Sequence, residues 1–177
     1  MKRRSLDVIF VFRSPSDKRK GVVVAGPLRL RCALGRGGMI RDKREGDGGT
    51  PVASLKALGV HYRPDRTPRP RTSLPLVRIG KADGWCDDSA SRLYNRPIRL
   101  PAHPSHERMW RDDALYDIVV DLSWNRRPIR RGRGSAIFLH SARPDFTPTE
   151  GCVAVGRAVI ARLVERIGPR TRIVVRG

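Results

Sequence analysis

No stretch of the 177-residue chain stays apolar for the ~18 residues that a membrane-spanning helix requires, so nothing here reads as a span. Cysteine is scarce: Cys32, Cys86 and Cys152 are odd in number, widely spaced and without a C-x-x-C pair, which excludes a disulfide framework and favours a reducing compartment. Aromatic residues are only 6% of the chain, and acidic residues number 17 against 37 basic ones. There is no zinc-finger, helix-turn-helix or RNA-binding signature, and the glycine-rich stretch from Gly35 to Thr50 lacks the order of a phosphate-binding loop and carries Glu45 and Asp47, which would repel phosphate. His103 and His106 stand three apart, but Pro101 and Pro104 place them in a loop, so neither a zinc site nor any cofactor is expected.

Charge of one sign is abundant. The net charge of +20 and a pI near 11.5 make non-specific attraction to polyanions a property of the chain whatever else it does. A basic nucleic-acid-binding module is therefore one function to weigh. Against a specific nucleic-acid partner, the arginines run from Arg3 to Arg176 without one dense helical cluster. Only six of the basic residues are lysine, a bias that composition alone can produce.

The N-terminal Met1 to Arg4 has the charge of a signal-peptide n-region. The following Leu6 to Phe12 is too short for the apolar segment, carries Asp7, and has no small-residue cleavage site. As written, the chain is expected in the cytoplasm; a start codon further upstream would make a periplasmic location the expectation.

The length suits one domain, residues 1–177, and 17 glycines with 14 prolines favour short strands over long helices. Strands are expected at Leu6 to Arg13, at Gly21 to Gly26 and Leu28 to Leu34 as a hairpin, at Val52 to Tyr62, at Ala114 to Trp124, and at Thr171 to Val175. Leu28, Leu30 and Cys32 alternate with arginines, which assigns Cys32 to the core. Arg63 to Pro75 is a proline-rich surface excursion. Val159, Ile160, Leu163, Val164 and Ile167 have helical spacing, and Gly168-Pro169 ends that helix. The fold class is mainly β with one C-terminal amphipathic helix.

One stretch carries chemistry. Ala136 to His140 is a short β-like run ending in a histidine; a loop broken by Pro144 and Pro148 leads to Gly151-Cys152 and a second run, Val153 to Val155. Side by side, the two strands would face His140 toward Cys152. A thiol is a useful nucleophile only as thiolate, and a neighbouring imidazole can take its proton. Gly151 lets the backbone bend so that its amide and that of Cys152 converge as an oxyanion hole. Cys86, with His103 or His106 as base, is a rival without a Gly-Cys elbow. The loops from Asp83 to Trp110 carry Trp85, Tyr94, Asn95 and His106, the residue types that line pocket walls on β scaffolds.

Phe138-Leu139-His140 followed by Thr149-Glu150-Gly151-Cys152-Val153 resembles the His…[Ser/Thr]-x-Gly-Cys-[Ile/Val] signature of the L,D-transpeptidase catalytic-domain family. Lys43-Arg44-Glu45-Gly46-Asp47-Gly48-Gly49-Thr50-Pro51 resembles the K-x-E-G-D-G-x-T-P block of the same family, and the similarity runs from about Leu6 to Val175. The resemblance implies a mixed β-sandwich and a peptidoglycan tetrapeptide stem or muropeptide as partner. It also implies Cys152 as nucleophile, His140 as base, the Gly151 and Cys152 amides around the oxyanion, and the Ser141 carbonyl orienting the imidazole. Loss of D-alanine would leave a thioester. Transfer to an amine would make a 3-3 cross-link, and transfer to water would make a cytoplasmic L,D-carboxypeptidase of muropeptide recycling; capture by carbapenems is implied as well. Where members often carry glycine or arginine this chain departs: Ser141 replaces the glycine after the histidine, Ala53 the glycine after the proline, and Ala154 the arginine two residues past the cysteine. The substrate carboxylate would then fall to Arg157, Arg143 or another arginine.

Overall fold

The computed structural model describes residues 5–177. The basic Met1 to Arg4 segment lies outside the described residues. The strands are β1 (Val8–Arg13), β2 (Lys20–Ala25), β3 (Leu28–Ala33), β4 (Met39–Ile40), β5 (Thr50–Pro51), β6 (Ser54–Tyr62), β7 (Leu76–Arg78), β8 (Asp83–Cys86), β9 (Pro97–Arg99), β10 (His106–Arg108), β11 (Ile118–Leu122), β12 (Phe138–Ser141), β13 (Val153–Val155) and β14 (Arg172–Arg176), with helix α1 (Arg157–Leu163) between β13 and β14.

A nine-stranded mixed sheet runs β11-β12-β13-β3-β2-β1-β14-β6-β7, and β6 also pairs with β11, so the sheet closes on itself. The pairs β1–β14, β12–β13 and β6–β7 are parallel; the other pairs of this sheet are antiparallel. Closure removes most free edges, where unpaired amides would otherwise be exposed. Strands β4 and β5 form a small parallel pair, and β10-β8-β9 form a separate three-stranded sheet.

Side chains alternate across a strand with period two, and this sorts the residues into two cores. Ile118, Val120 and Leu122 of β11, Leu139 of β12, and Val153 and Val155 of β13 point into the main interior, with Ile160, Leu163, Val164 and Ile167 of the helical segment. Val119, Phe138 and Cys152 point the other way, into a second cluster with Ile79, Trp85, Met109 and Tyr116. The mainly β fold with one helix agrees with the sequence. Helix α1 ends at Leu163, before Ile167, and the chain continues in turns that still accept backbone bonds, such as Ile167 N to Leu163 O at 3.0 Å. Cys32 is fully buried in the main core, while Leu28 at the outer end of the same strand stays half exposed.

Candidate active site

The second cluster is the floor of the site. Trp85 packs edge-on against Phe138 at 5.0 Å between ring centroids, and Tyr116 meets Phe138 at 6.0 Å and His140 at 5.2 Å. Such edge-to-face pairs contribute about 0.5–1.5 kcal/mol each beyond their buried area.

On this floor the parallel register pairs Leu139 with Val153 and His140 with Ala154. Phe138 and Cys152 are then cross-strand neighbours on the outer face, and His140 lies diagonally beyond Cys152 on that face. The Phe138 N–H donates to Cys152 Sγ at 3.3 Å, and the thiol donates to the Ala136 carbonyl at 3.2 Å. Ala136 has φ +49°, a left-handed conformation that costs a non-glycine residue free energy. This is why the expected strand from Ala136 begins only at Phe138.

His140 is 4% exposed, and its Nδ1 is 2.8 Å from the Ser141 carbonyl oxygen. A carbonyl only accepts, so Nδ1 carries the hydrogen and Nε2 keeps a lone pair for a proton. Burial lowers the imidazole pKa to about 4, against the partial help of the Ser141 carbonyl. Burial, reinforced by the charge of Glu107, raises the Cys152 thiol well above its usual range; the Phe138 N–H and Lys43 oppose this. Both groups are therefore neutral at rest.

Gly151 has φ +138°, and a Cβ there would lie 2.8 Å from the Gly49 carbonyl oxygen, so only glycine fits. Its amide differs from expectation. The Gly151 N–H donates to Thr149 Oγ1 at 3.1 Å, while that hydroxyl donates to the Cys152 carbonyl at 2.7 Å. The threonine holds the elbow from both sides, and the Gly151 amide must change partners before it can serve an oxyanion.

The segment Leu34 to Arg36, just ahead of the glycine-rich loop, meets the Gly-Cys block here. Gly35 bridges Thr149, Arg36 N donates to Thr149 O at 2.8 Å, and Thr149 N donates to Leu34 O at 2.9 Å. Lys43, 2% exposed, pairs with Asp47 at 2.5 Å, and Asp47 caps the Arg44 and Gly49 amides at 2.7 and 2.8 Å. The glycine-rich loop is thus a rigid wall that brings Glu45 to the cavity.

A cavity of about 350 Å³ opens over this face, with Cys152, His140, Ser141, Arg143 and Ala154 in its lining. Arg143 is half exposed and 3.6 Å from Asp113. Arg157 does not line it; its guanidinium is 2.7 Å from Asp117. Four expected pocket residues lie elsewhere. Trp85 and Asn95 are about 1% exposed, and Asn95 is fully engaged: Oδ1 accepts from Trp85 Nε1 at 3.0 Å and Ala136 N at 3.1 Å, and Nδ2 donates to the Trp124 and Asn125 carbonyls at 3.3 and 2.8 Å. Tyr94 is buried with its hydroxyl on Glu45 at 2.5 Å, and His106 bonds the Pro104 carbonyl at 2.8 Å outside the cavity. Their polar atoms are committed to the scaffold, so they hold the wall instead of touching what fills it. Cys86 is buried and does not line the cavity.

Glu45, Asp87, Glu107, Arg111 and Tyr116 do line the cavity. No local pattern marks them, because they arrive from four separate loops and strands. Only Glu45 falls inside a recognisable block.

The sequence matches the model of the L,D-transpeptidase catalytic domain, YkuD, over residues 12–175. No curated protein matches it. Among solved structures it is similar to L,D-transpeptidase 1 of Mycobacterium tuberculosis, at 15% identity and a TM-score of 0.40, over 96% of this chain and 62% of that one. The chain thus spans about three fifths of the length of that relative. With the family model covering nearly the whole chain and its Cys152–His140 face assembled in one cavity, this chain belongs to the L,D-transpeptidase catalytic domain family.

Proposed function

We propose that the protein is a cysteine acyl-transfer enzyme acting on peptidoglycan tetrapeptide stems. What supports this reading is the register that sets His140 of β12 and Cys152, just before β13, on one outer face, with His140 Nδ1 bonded to the Ser141 carbonyl and Nε2 keeping its lone pair. Cys152 attacks the carbonyl of the third, diamino-acid residue while His140 takes the thiol proton; the C–N bond to terminal D-alanine breaks, and His140 returns the proton to the leaving amine. A thioester remains. An amine of a second stem then attacks it, forming the amide of a 3-3 cross-link and restoring the thiol. Arg143, at the cavity rim, is assigned to the substrate carboxylate.

Mass spectrometry of the purified protein with soluble disaccharide tetrapeptide tests this. The expected products are free D-alanine and a linked dimer. Tripeptide alone would assign water as acceptor and make the enzyme an L,D-carboxypeptidase. Cys152→Ala is expected to abolish turnover, and His140→Ala to lower it by orders of magnitude; wild-type rates in either variant would overturn the assignment. A carbapenem adduct is expected on Cys152, not on Cys32 or Cys86.

A further inference from the structure

The cavity beside the thiol has a charge opposite to that of the chain. Basic residues outnumber acidic ones by 37 to 17, yet Glu45, Asp87 and Glu107 all line this cavity. None of the three forms an ion pair among the described residues, although arginines lie close by. Arg111, the nearest candidate to neutralise Glu107, is turned to Asp113 instead, with Nε and Nη2 both 2.8 Å from its carboxylate. Glu107 Oε1 accepts the Tyr116 hydroxyl at 2.5 Å, and its Oε2 accepts no bond among the described residues. Asp87 Oδ1 is buried with no partner. Glu45 is tied to Tyr94 through Oε2 alone.

A buried carboxylate oxygen without a donor is costly, and the cost is recovered when a cation with several N–H groups arrives. No group of three or more His, Cys, Asp or Glu side chains among the described residues is arranged to hold a metal ion. The Asp87 oxygen without a partner and the second Glu107 oxygen are acceptors that a primary ammonium, with its three N–H donors, can satisfy.

Resting on the peptidoglycan reading above, we propose that Glu107, with Asp87, is the seat for a primary ammonium group of the substrate, the side-chain amine of its diamino-acid residue. Tyr116 positions Glu107 through its hydroxyl and packs on the His140 ring, which ties the seat to the base. The amine belongs either to the stem being cleaved or to the stem that accepts the acyl group.

Steady-state kinetics with wild type and Glu107→Gln test the seat and separate the two sources. Glutamine keeps an oxygen for the Tyr116 hydroxyl but carries no charge. D-alanine release is measured from tetrapeptide whose side-chain amine is free or acetylated, and dimer formation is measured against the concentration of an amine-bearing tripeptide acceptor. A charge-assisted contact is worth about tenfold to a hundredfold in such comparisons. A wild-type preference of that size for the free amine that falls toward unity in Glu107→Gln places the seat on the donor side. A rise of that size confined to the acceptor KM places it on the acceptor side. No change in either quantity overturns the proposal. If Glu107→Gln does not fold, wild type decides: n-butylammonium is expected to inhibit at least tenfold more strongly than butan-1-ol, and equal inhibition overturns the seat. Turnover without any preference for the free amine, and with acceptor KM unchanged, rejects the seat but leaves the thioester chemistry standing. Absence of both D-alanine release and any Cys152 adduct removes the underlying reading and the seat with it.

Discussion

His140 and Cys152 are each shifted by burial toward the neutral form, and this has consequences for both rate and stability. With the imidazole near pH 4 in the folded protein, the acid limb of kcat/KM is expected near that pH, well below the 6.5 of an ordinary histidine. A pH–rate profile with its acid limb at 6 to 7 would show that the imidazole is charged at rest. The same shift sets a stability window. Folding depresses the pKa, so between about 6.5 and 4 the unfolded chain binds a proton that the native one does not; the contribution is complete above 6.5 and is lost as pH falls through this range. Its upper bound is about 3 kcal/mol for so buried a group. Denaturant melts of wild type and His140→Gln at pH 7.5 and pH 4.5 check the sign: the variant should lose less stability over that interval. Thr149 is a second residue-scale test. Thr149→Val removes both bonds at the Gly151-Cys152 elbow and is expected to cost about 1–2 kcal/mol of stability and roughly tenfold or more in acylation rate, read by denaturant unfolding and stopped-assay adduct formation.

Where elements meet, Asn95 backs the strand pairing that places the thiol. One side chain in left-handed conformation joins β8 through Trp85, the turn after β11 through Trp124 and Asn125, and the approach to β12 through Ala136, whose carbonyl receives the Cys152 thiol. Asn95→Ala is expected to destabilise the protein by about 2–4 kcal/mol and to depress the rate even where it remains folded, because the strained Ala136 turn loses its donor's partner. Wild-type unfolding midpoints in that variant would refute this hub. The element scale is also where sequence reasoning about the site went astray. Trp, Tyr and Asn in a loop are compatible with a pocket wall or with a loop stapled from within, and only the partners of their polar atoms separate the two. Cross-strand placement was easier to read, since two short β-like runs joined by a proline-broken loop suggest adjacent strands that face His140 toward Cys152.

The whole molecule combines a basic surface with an acidic patch inside the cavity beside Cys152. Among the described residues no helix is long and apolar enough to cross a membrane. A net charge of +20 predicts retention on a polyanion matrix at low salt that disappears steeply between roughly 50 and 300 mM salt, with the same elution for Cys152→Ala. Elution displaced by that substitution would tie the charge to the catalytic face. The wrap of the sheet, β6 closing on β11, is also a property of this scale, for it turns β11, β12 and β13 into a curved wall with one face to the core and one to the cavity.

Composition, periodicity and local motifs by themselves determined a mainly β chain, the burial of Cys32, the helix-forming run before Gly168-Pro169, and the Gly-Cys and histidine pair, because each depends on neighbours within a few residues. The tertiary structure alone decided that Leu34 to Arg36, held by Thr50 of the Lys43 to Pro51 block, brace Thr149, that Trp85, Tyr94 and Asn95 support the wall, and that Asp87 and Glu107 line the cavity beside the thiol. Those are contacts between residues tens of positions apart. Their identity follows from sheet closure and loop packing, which set which polar atoms find partners and which are left facing the cavity.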